Sequence, residues 1–156
     1  MAVTQLEIDC ALMAGVADRA TRPNKINRFP VPSGWVEMTD DYETRASGFE
    51  AIYFKKGDQI VISFAGTNTN FLGNDGLGDL ITDIEGGLGN ATTQLVQAAE
   101  YYMYVKNNNP EVTEFIFTGH SLGGGLAALM GEFFNEKAIV FDPAPFANAA
   151  DVKDRK

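Results

Sequence analysis

The chain has 156 residues, with 12 Lys or Arg against 21 Asp or Glu, which gives a net charge of −9. Because nucleic acids and anionic membrane surfaces attract basic patches, this charge argues against either as the main partner. Hydrophobic residues make up 45% of the chain, yet no apolar run approaches the roughly 18 residues of a membrane span, so we expect one soluble domain over residues 1–156.

The N-terminal segment has the pattern of an amphipathic helix from residue 4 to about residue 20. Thr4 followed by Glu7 resembles a capping box, and Cys10 and Met13 fall on one face. Cys10 is the only cysteine, which excludes an internal disulfide and a thiolate metal cluster, and we predict a core residue there. The segment lacks the basic start of a signal peptide, so no cleaved leader is expected; the sequence leaves cytoplasm and leaderless export open.

A β-hairpin is predicted in the next part of the chain. Residues 22–33 contain three prolines and form an irregular connection, and residues 35–38 are a short strand. Residues 48–54 have the alternating pattern of a strand, and the chain then turns back into a second strand over residues 59–64, which is apolar on both faces. That pattern is typical of a buried central strand.

The stretch after the hairpin, residues 69–89, is rich in Gly, Asn and Asp. Asp75, Asp79 and Asp83 recur every four residues. Clustered carboxylates suit calcium, but ligands of an EF-hand loop alternate along the chain, so the polar face of a short helix is preferred over a calcium site.

Helices and strands alternate in the second half of the chain. The patterns predict a helix over 91–107, a strand over 114–118, a helix from 122 to about 136, a buried strand over 138–141 and a short helix in the tail after 148.

The sequence Gly119-His120-Ser121-Leu122-Gly123 joins a predicted strand directly to a predicted helix. This is the context of a nucleophile elbow, in which only glycines at 119 and 123 avoid backbone clashes because they lack a Cβ. Ser121 is therefore the predicted nucleophile, and the Leu122 N–H at the positive end of the helix is a predicted oxyanion donor. The alternative is a glycine-rich loop whose serine caps the helix; a phosphate loop is excluded because no Lys-Ser or Lys-Thr follows.

A second oxyanion donor is expected at the end of an earlier strand. Ala65-Gly66-Thr67-Asn68 is a polar turn directly after the buried hairpin strand, and ligands collect at this end of open α/β sheets. We assign the role to the backbone N–H of Thr67, with its hydroxyl as a further candidate donor and an ordinary turn threonine as the alternative.

Three segments resemble the class 3 lipase family. Residues 62–67 are similar to its oxyanion segment, with Ala65 in place of the usual Arg, and residues 78–84 to its Asp-Trp stretch, with Leu80 in place of Trp. Residues 119–127, Gly-His-Ser-Leu-Gly-Gly-Gly-Leu-Ala, closely resemble its elbow. The resemblance implies a partial α/β-hydrolase core, with a mostly parallel sheet and helices on both faces, that hydrolyses lipid-type esters without metal or organic cofactor.

The predicted triad is incomplete. A serine esterase needs a base, and α/β-hydrolases place an acid and then a histidine after the serine, but no histidine follows Ser121. His120 is expected to pack beneath the elbow, because adjacent side chains diverge in such a turn. Asp142, at the end of the next strand, is the candidate acid, with a loop cap as the alternative.

These observations predict the N-terminal part of a longer hydrolase. We expect missing strands and the base to come from another segment or a second chain, or self-association to cover the sheet edge. The alternative from a different class is a catalytically silent binding or assembly module that retains the elbow as a fold element. Acyl transfer to an alcohol also stays open.

Overall fold

The computed structural model describes residues 2–17, 29–65 and 88–143, with only the backbone described for 88–91. The predicted turn residue Thr67, the aspartates from Asp75 to Asp83 and the tail helix after residue 148 lie outside these ranges. The described elements are, in chain order, α1 (Gln5–Val16), β1 (Val36–Glu37), a 3₁₀ helix (Thr39–Asp41), β2 (Glu43–Thr44), β3 (Glu50–Lys56), β4 (Gln59–Phe64), α2 (Leu88–Asn108), β5 (Glu114–His120), α3 (Leu122–Phe134) and β6 (Lys137–Phe141).

Helix α1 begins at the predicted capping box. The Glu7 N–H donates to Thr4 Oγ1 at 3.2 Å, and the Thr4 N–H donates to Glu7 Oε2 at 3.0 Å. Both donors would otherwise lack an intrahelical partner, so this exchange fixes the start of the helix. The helix is described over Gln5–Val16 with Ala17 as its C-cap, and the last predicted residues, 18–20, lie outside the described ranges.

The strands form one mixed sheet in the order β1-β3-β4-β5-β6, with β2 also paired to β3. Pairings of β3 with β1, β2 and β4 are antiparallel, whereas β4 with β5 and β5 with β6 are parallel. The hairpin is confirmed as β3 and β4, and β4 is central, as its two apolar faces predicted. The α/β class is confirmed, but the described sheet is mixed, whereas a mostly parallel sheet was expected.

Helices cover both faces of the sheet, as predicted. Against one face, α1 packs Cys10 and Met13 onto Val61 and Ile116, and the Ser63 hydroxyl donates to the Met13 carbonyl at 3.0 Å. Burial raises the pKa of the Cys10 thiol to about 12, which supports the prediction of a core residue. None of the helices in the described ranges is long and apolar enough to cross a membrane.

The opposite face is covered by α2 and α3. The shared cluster contains aromatic residues of the sheet and of α2, and apolar residues of α3: Tyr53, Phe64, Phe115, Phe117, Tyr101, Tyr102, Leu126 and Met130. Tyr102 stacks edge-on against Phe117, with ring centroids 5.1 Å apart. Packing in this cluster holds α3 against the sheet and so determines where its first turn lies.

Strand β6 is the last strand of the described sheet. Its pairing partner there is β5, and residues 138–141 are half-buried. The prediction that this strand is buried on all sides is therefore wrong. Within the described residues, helices cover the two faces of β6 but no strand lies along its outer edge.

Candidate active site

The carboxyl ends of strands β4, β5 and β6 lie together at one end of the sheet, called here its carboxyl edge. The register pairs Phe64 with Gly119 and His120 with Phe141. Because these strands are parallel, their carboxyl ends lie at the same edge, where ligands bind in open α/β sheets. Ser121 and Asp142 are consequently the first residues after two neighbouring strands, whose spacing is about 5 Å.

Ser121 has the backbone of a strained turn. Its φ of 57° and ψ of −120° place a side chain in a region that few residues other than glycine adopt. The Ser121 N–H donates to the Phe141 carbonyl at 3.1 Å, and its carbonyl accepts from the Gly125 N–H at 3.0 Å. The backbone N–H of Ser121 is thus held by β6, and its backbone carbonyl is held by α3.

The Ser121 side chain does not cap the helix. It precedes the first residue of α3, but it makes no side-chain capping hydrogen bond, and the residue is only half-buried. A serine at this position normally satisfies one of the free N–H groups of the first turn. The hydroxyl is therefore available at the sheet edge, which argues against the helix-cap alternative.

Gly119 and Gly123 are required for the reason predicted. A Cβ on Gly119 would lie 2.4 Å from the Gly123 carbonyl, and a Cβ on Gly123 would lie 2.1 Å from the Phe64 carbonyl oxygen. Both clashes are with backbone atoms, which cannot rotate away. Gly123 therefore lets the start of α3 touch the end of β4, and the same contact brings Ala65 beside the elbow, since its carbonyl carbon would be 2.8 Å from that Cβ.

Leu122 is the first residue of α3. The N–H groups of a first turn have no intrahelical acceptor, and they carry the positive end of the helix dipole. The first turn of α3 contains no acidic side chain that would neutralise this end. The second predicted donor, Thr67, lies outside the described residues; the described chain before it ends at Ala65, against Gly123.

His120 lies on the surface. It is exposed, so the prediction that it packs beneath the elbow is wrong. Ile116, Thr118 and His120 alternate onto the same face of β5, and α1 covers the first two. His120 is the last residue of the strand and lies beyond that cover.

Asp142 is exposed and has a φ of 45°, so it adopts the left-handed conformation that aspartate tolerates better than most residues. It stands at the sheet edge beside the elbow, the position predicted for an acid. Within the described ranges, no group of three or more His, Cys, Asp or Glu side chains has the arrangement of a metal site.

A buried carboxylate near the same edge was missed by the sequence analysis. Glu50, the first residue of β3, is 6% exposed, and its backbone carbonyl accepts from the Ala65 N–H at 2.9 Å. The one signal in the sequence was a charge at the start of an apolar strand, which by itself is more typical of a solvated strand end.

A cavity of about 360 Å³ lies between the 3₁₀ helix and α2. The hydroxyls of Tyr53 and Tyr104 donate to the carboxylate of Asp41 in its wall, and Tyr101 donates to the Asp41 carbonyl. These contacts tie α2 to the segment before β2, which is a structural role.

The chain matches a family model described as phospholipase-like, Tle-like phospholipase domain, over residues 14–155. No curated protein matches significantly.

Two fungal lipases of known structure share the fold. The lipase from Rhizopus microsporus var. chinensis is 17% identical with a TM-score of 0.57, and the match covers 98% of this chain and 64% of that one. Lipase II from Rhizopus niveus is 20% identical with a TM-score of 0.52, and the match covers 85% of this chain and 57% of that one. The chain thus spans less than two thirds of either lipase.

Proposed function

The chain belongs to the phospholipase-like family of Tle-like phospholipase domains, and from this premise we propose that it is the core of a serine hydrolase that cleaves lipid-type carboxylic esters. The observation that carries the proposal is the strained backbone of Ser121, whose hydroxyl makes no capping bond at the carboxyl edge of the sheet. The two structural neighbours are lipases, which agrees with this substrate class.

In the proposed reaction, Ser121 Oγ attacks the ester carbonyl carbon. A base takes the hydroxyl proton, and the carbonyl oxygen becomes an oxyanion that accepts from the Leu122 N–H. When the tetrahedral intermediate collapses, the alcohol leaves with that proton and the acyl group remains on Ser121. Water then attacks the acyl-enzyme by the same route, releasing the carboxylic acid and restoring the hydroxyl.

Thr67 is the proposed second oxyanion donor. Two residues of chain span at most about 7 Å, and Ala65 lies in contact with Gly123, so covalent reach allows Thr67 to approach the elbow. Removal of one oxyanion donor costs about 10²–10³ in turnover in serine hydrolases. Thr67→Ala removes the hydroxyl and keeps the backbone N–H, whereas Thr67→Pro removes the backbone N–H, so the two variants test the two donors of Thr67 separately.

The base is proposed to come from outside this sequence. The one histidine, His120, is adjacent to Ser121 in a turn where neighbouring side chains diverge, and it is exposed. We propose that a further segment or a second chain along the outer edge of β6 supplies an imidazole. Asp142, at the end of β6, would orient that imidazole by accepting its second N–H.

Imidazole in solution tests the proposal, because it can replace a missing base. The wild-type chain should hydrolyse a short p-nitrophenyl ester faster than Ser121→Ala at each imidazole concentration, and the excess should grow with imidazole. The comparison with Ser121→Ala removes the reaction of imidazole itself. Equal rates for the two proteins at all concentrations would contradict the assignment of Ser121.

The second candidate is a catalytically silent binding or assembly module. The observation in its favour is the lack of any histidine after Ser121. A fluorophosphonate separates the two functions, because an activated serine forms a covalent adduct, seen as a mass increase that is absent in Ser121→Ala. An unmodified wild-type mass in imidazole buffer would favour the silent module.

A further inference from the structure

Two carboxylates are buried among the described residues, Asp9 and Glu50, and each is 6% exposed. A buried charge is costly unless it is hydrogen-bonded, and replacing a buried polar pair with apolar side chains is often neutral or stabilising. Each carboxylate therefore calls for a reason other than stability alone.

Asp9 has a structural explanation. Its Oδ2 accepts from Trp35 Nε1 at 3.0 Å and its Oδ1 accepts from Gln5 Nε2 at 2.9 Å. Trp35 precedes Val36, which pairs with Lys55 at the end of β3 farthest from the elbow. Asp9 thus ties α1 to Trp35, which lies beside the end of β3 farthest from the elbow.

Glu50 occupies the edge that carries the elbow. It begins β3, so about six residues, or roughly 20 Å, separate it from the other end of β3, beside which Trp35 lies. The Tyr42 hydroxyl donates to Glu50 Oε1, which fixes the orientation of the carboxylate. The Glu50 carbonyl accepts from the Ala65 N–H at 2.9 Å, so Glu50 lies directly across from the residue where β4 ends.

Ala65 connects Glu50 to the elbow. Its backbone is packed on Gly123, where no Cβ fits, and Gly123 follows Leu122, the proposed oxyanion donor. A shift of the β3–β4 end would therefore move the start of α3 or open the contact. A displacement of 1 Å in a catalytic geometry can lower a rate about 10²-fold.

We propose that Glu50, held by Tyr42, is a positioning residue that fixes the end of β4 against the elbow and so sets the oxyanion site. It acts through Ala65 and Gly123, without touching the substrate. The inference rests on the proposed function, because it assigns Glu50 a role in the turnover of Ser121.

The test compares paired substitutions at the two buried carboxylates. Tyr42→Phe with Glu50→Leu removes both partners of the hydrogen bond at the elbow edge, and Trp35→Phe with Asp9→Leu does so beside the far end of β3, so neither member of these two hydrogen bonds is left without the other. Ser121-dependent hydrolysis of a p-nitrophenyl ester is measured in imidazole, together with the thermal midpoint of each protein.

The elbow-edge pair should lower kcat about 10- to 100-fold with KM unchanged, while the far-edge pair should keep the wild-type kcat. Glu50→Gln, which retains an acceptor oxygen for Tyr42, should recover most of the turnover. If the elbow-edge pair fails to fold, Tyr42→Phe alone should still lower kcat when it is measured well below the thermal midpoint of that variant.

Wild-type kcat in the elbow-edge variants, or an equal loss in both pairs, would overturn the inference and leave the proposed function intact. Equal rates for the wild type and Ser121→Ala, measured first, would instead overturn the proposed function and this inference with it.

Discussion

Gly123 is the position where a single methyl group most directly tests the geometry of the elbow. In Gly123→Ala the new Cβ would start 2.1 Å from the Phe64 carbonyl oxygen and 2.8 Å from the Ala65 carbonyl carbon. Both are backbone atoms at the end of the central strand, so the clash is relieved only when α3 moves away from β4 by about 1 Å.

The expected loss of stability follows from two opposing effects. Overpacking of this kind costs up to about 3 kcal/mol, and replacing a helical glycine with alanine returns about 1 kcal/mol of helix propensity. The net destabilisation is therefore about 2 kcal/mol, which in a chain of this size lowers the thermal midpoint by about 4–8 °C. Turnover should fall about 10²-fold, because Leu122, the proposed oxyanion donor, moves with α3.

Thermal unfolding followed by far-ultraviolet circular dichroism measures the effect, with two glycines as controls. Gly124→Ala should be nearly neutral, because its closest contact is 3.0 Å and the helix propensity gain offsets the strain. Gly57→Ala, which has a φ of +59° and open space around it, should lose about 1 kcal/mol and keep full turnover. A wild-type midpoint and wild-type turnover in Gly123→Ala would refute the close contact of α3 with β4.

Three further outcomes are expected. Trp35→Phe should lower the free energy of unfolding in urea by about 1–3 kcal/mol, because buried Asp9 loses a donor, and a midpoint equal to wild type would contradict that bond. The pKa of Cys10 is about 12 in the folded chain against 9.0 in the unfolded chain, so its contribution to stability is complete below pH 9 and declines as the pH rises toward 12. The free energy of unfolding should therefore fall less steeply between pH 9 and 11 in Cys10→Ala than in the wild type, as measured by unfolding titrations. Asp142→Gly should gain about 1 kcal/mol by relieving the left-handed backbone yet lose imidazole-dependent turnover, and unchanged turnover would remove Asp142 from the proposed site.

The elbow and its supporting strands could be predicted because their signals are local. Glycines two residues either side of Ser121, between an apolar strand and a helical pattern, determine the turn through backbone contacts within residues 119–124 and with the end of one neighbouring strand. The capping box at Thr4 and the β3–β4 hairpin are equally local. Each depends on side chains and turns close together in sequence, which a single sequence displays.

The features that were missed depend on distant parts of the chain. Whether His120 is buried depends on how much of β5 is covered by α1, and the position of His120 in its strand does not reveal this. The burial of Glu50 depends on Tyr42 and on the pairing of β3 with both β2 and β4. The mixed sheet was missed for the same reason, because the sequence predicts strands but does not show with which strand, or in which direction, each of them pairs.

Three consecutive glycines, 123–125, follow the serine in the first turn of α3. Each costs a helix about 1 kcal/mol relative to alanine, so this segment has little tendency to be helical on its own in water. Its helix therefore depends on packing against the sheet, and the backbone of Ser121 has no fixed geometry of its own until that packing has formed. In a nascent or partly unfolded chain the Ser121 hydroxyl is consequently not preorganised for the chemistry proposed for it.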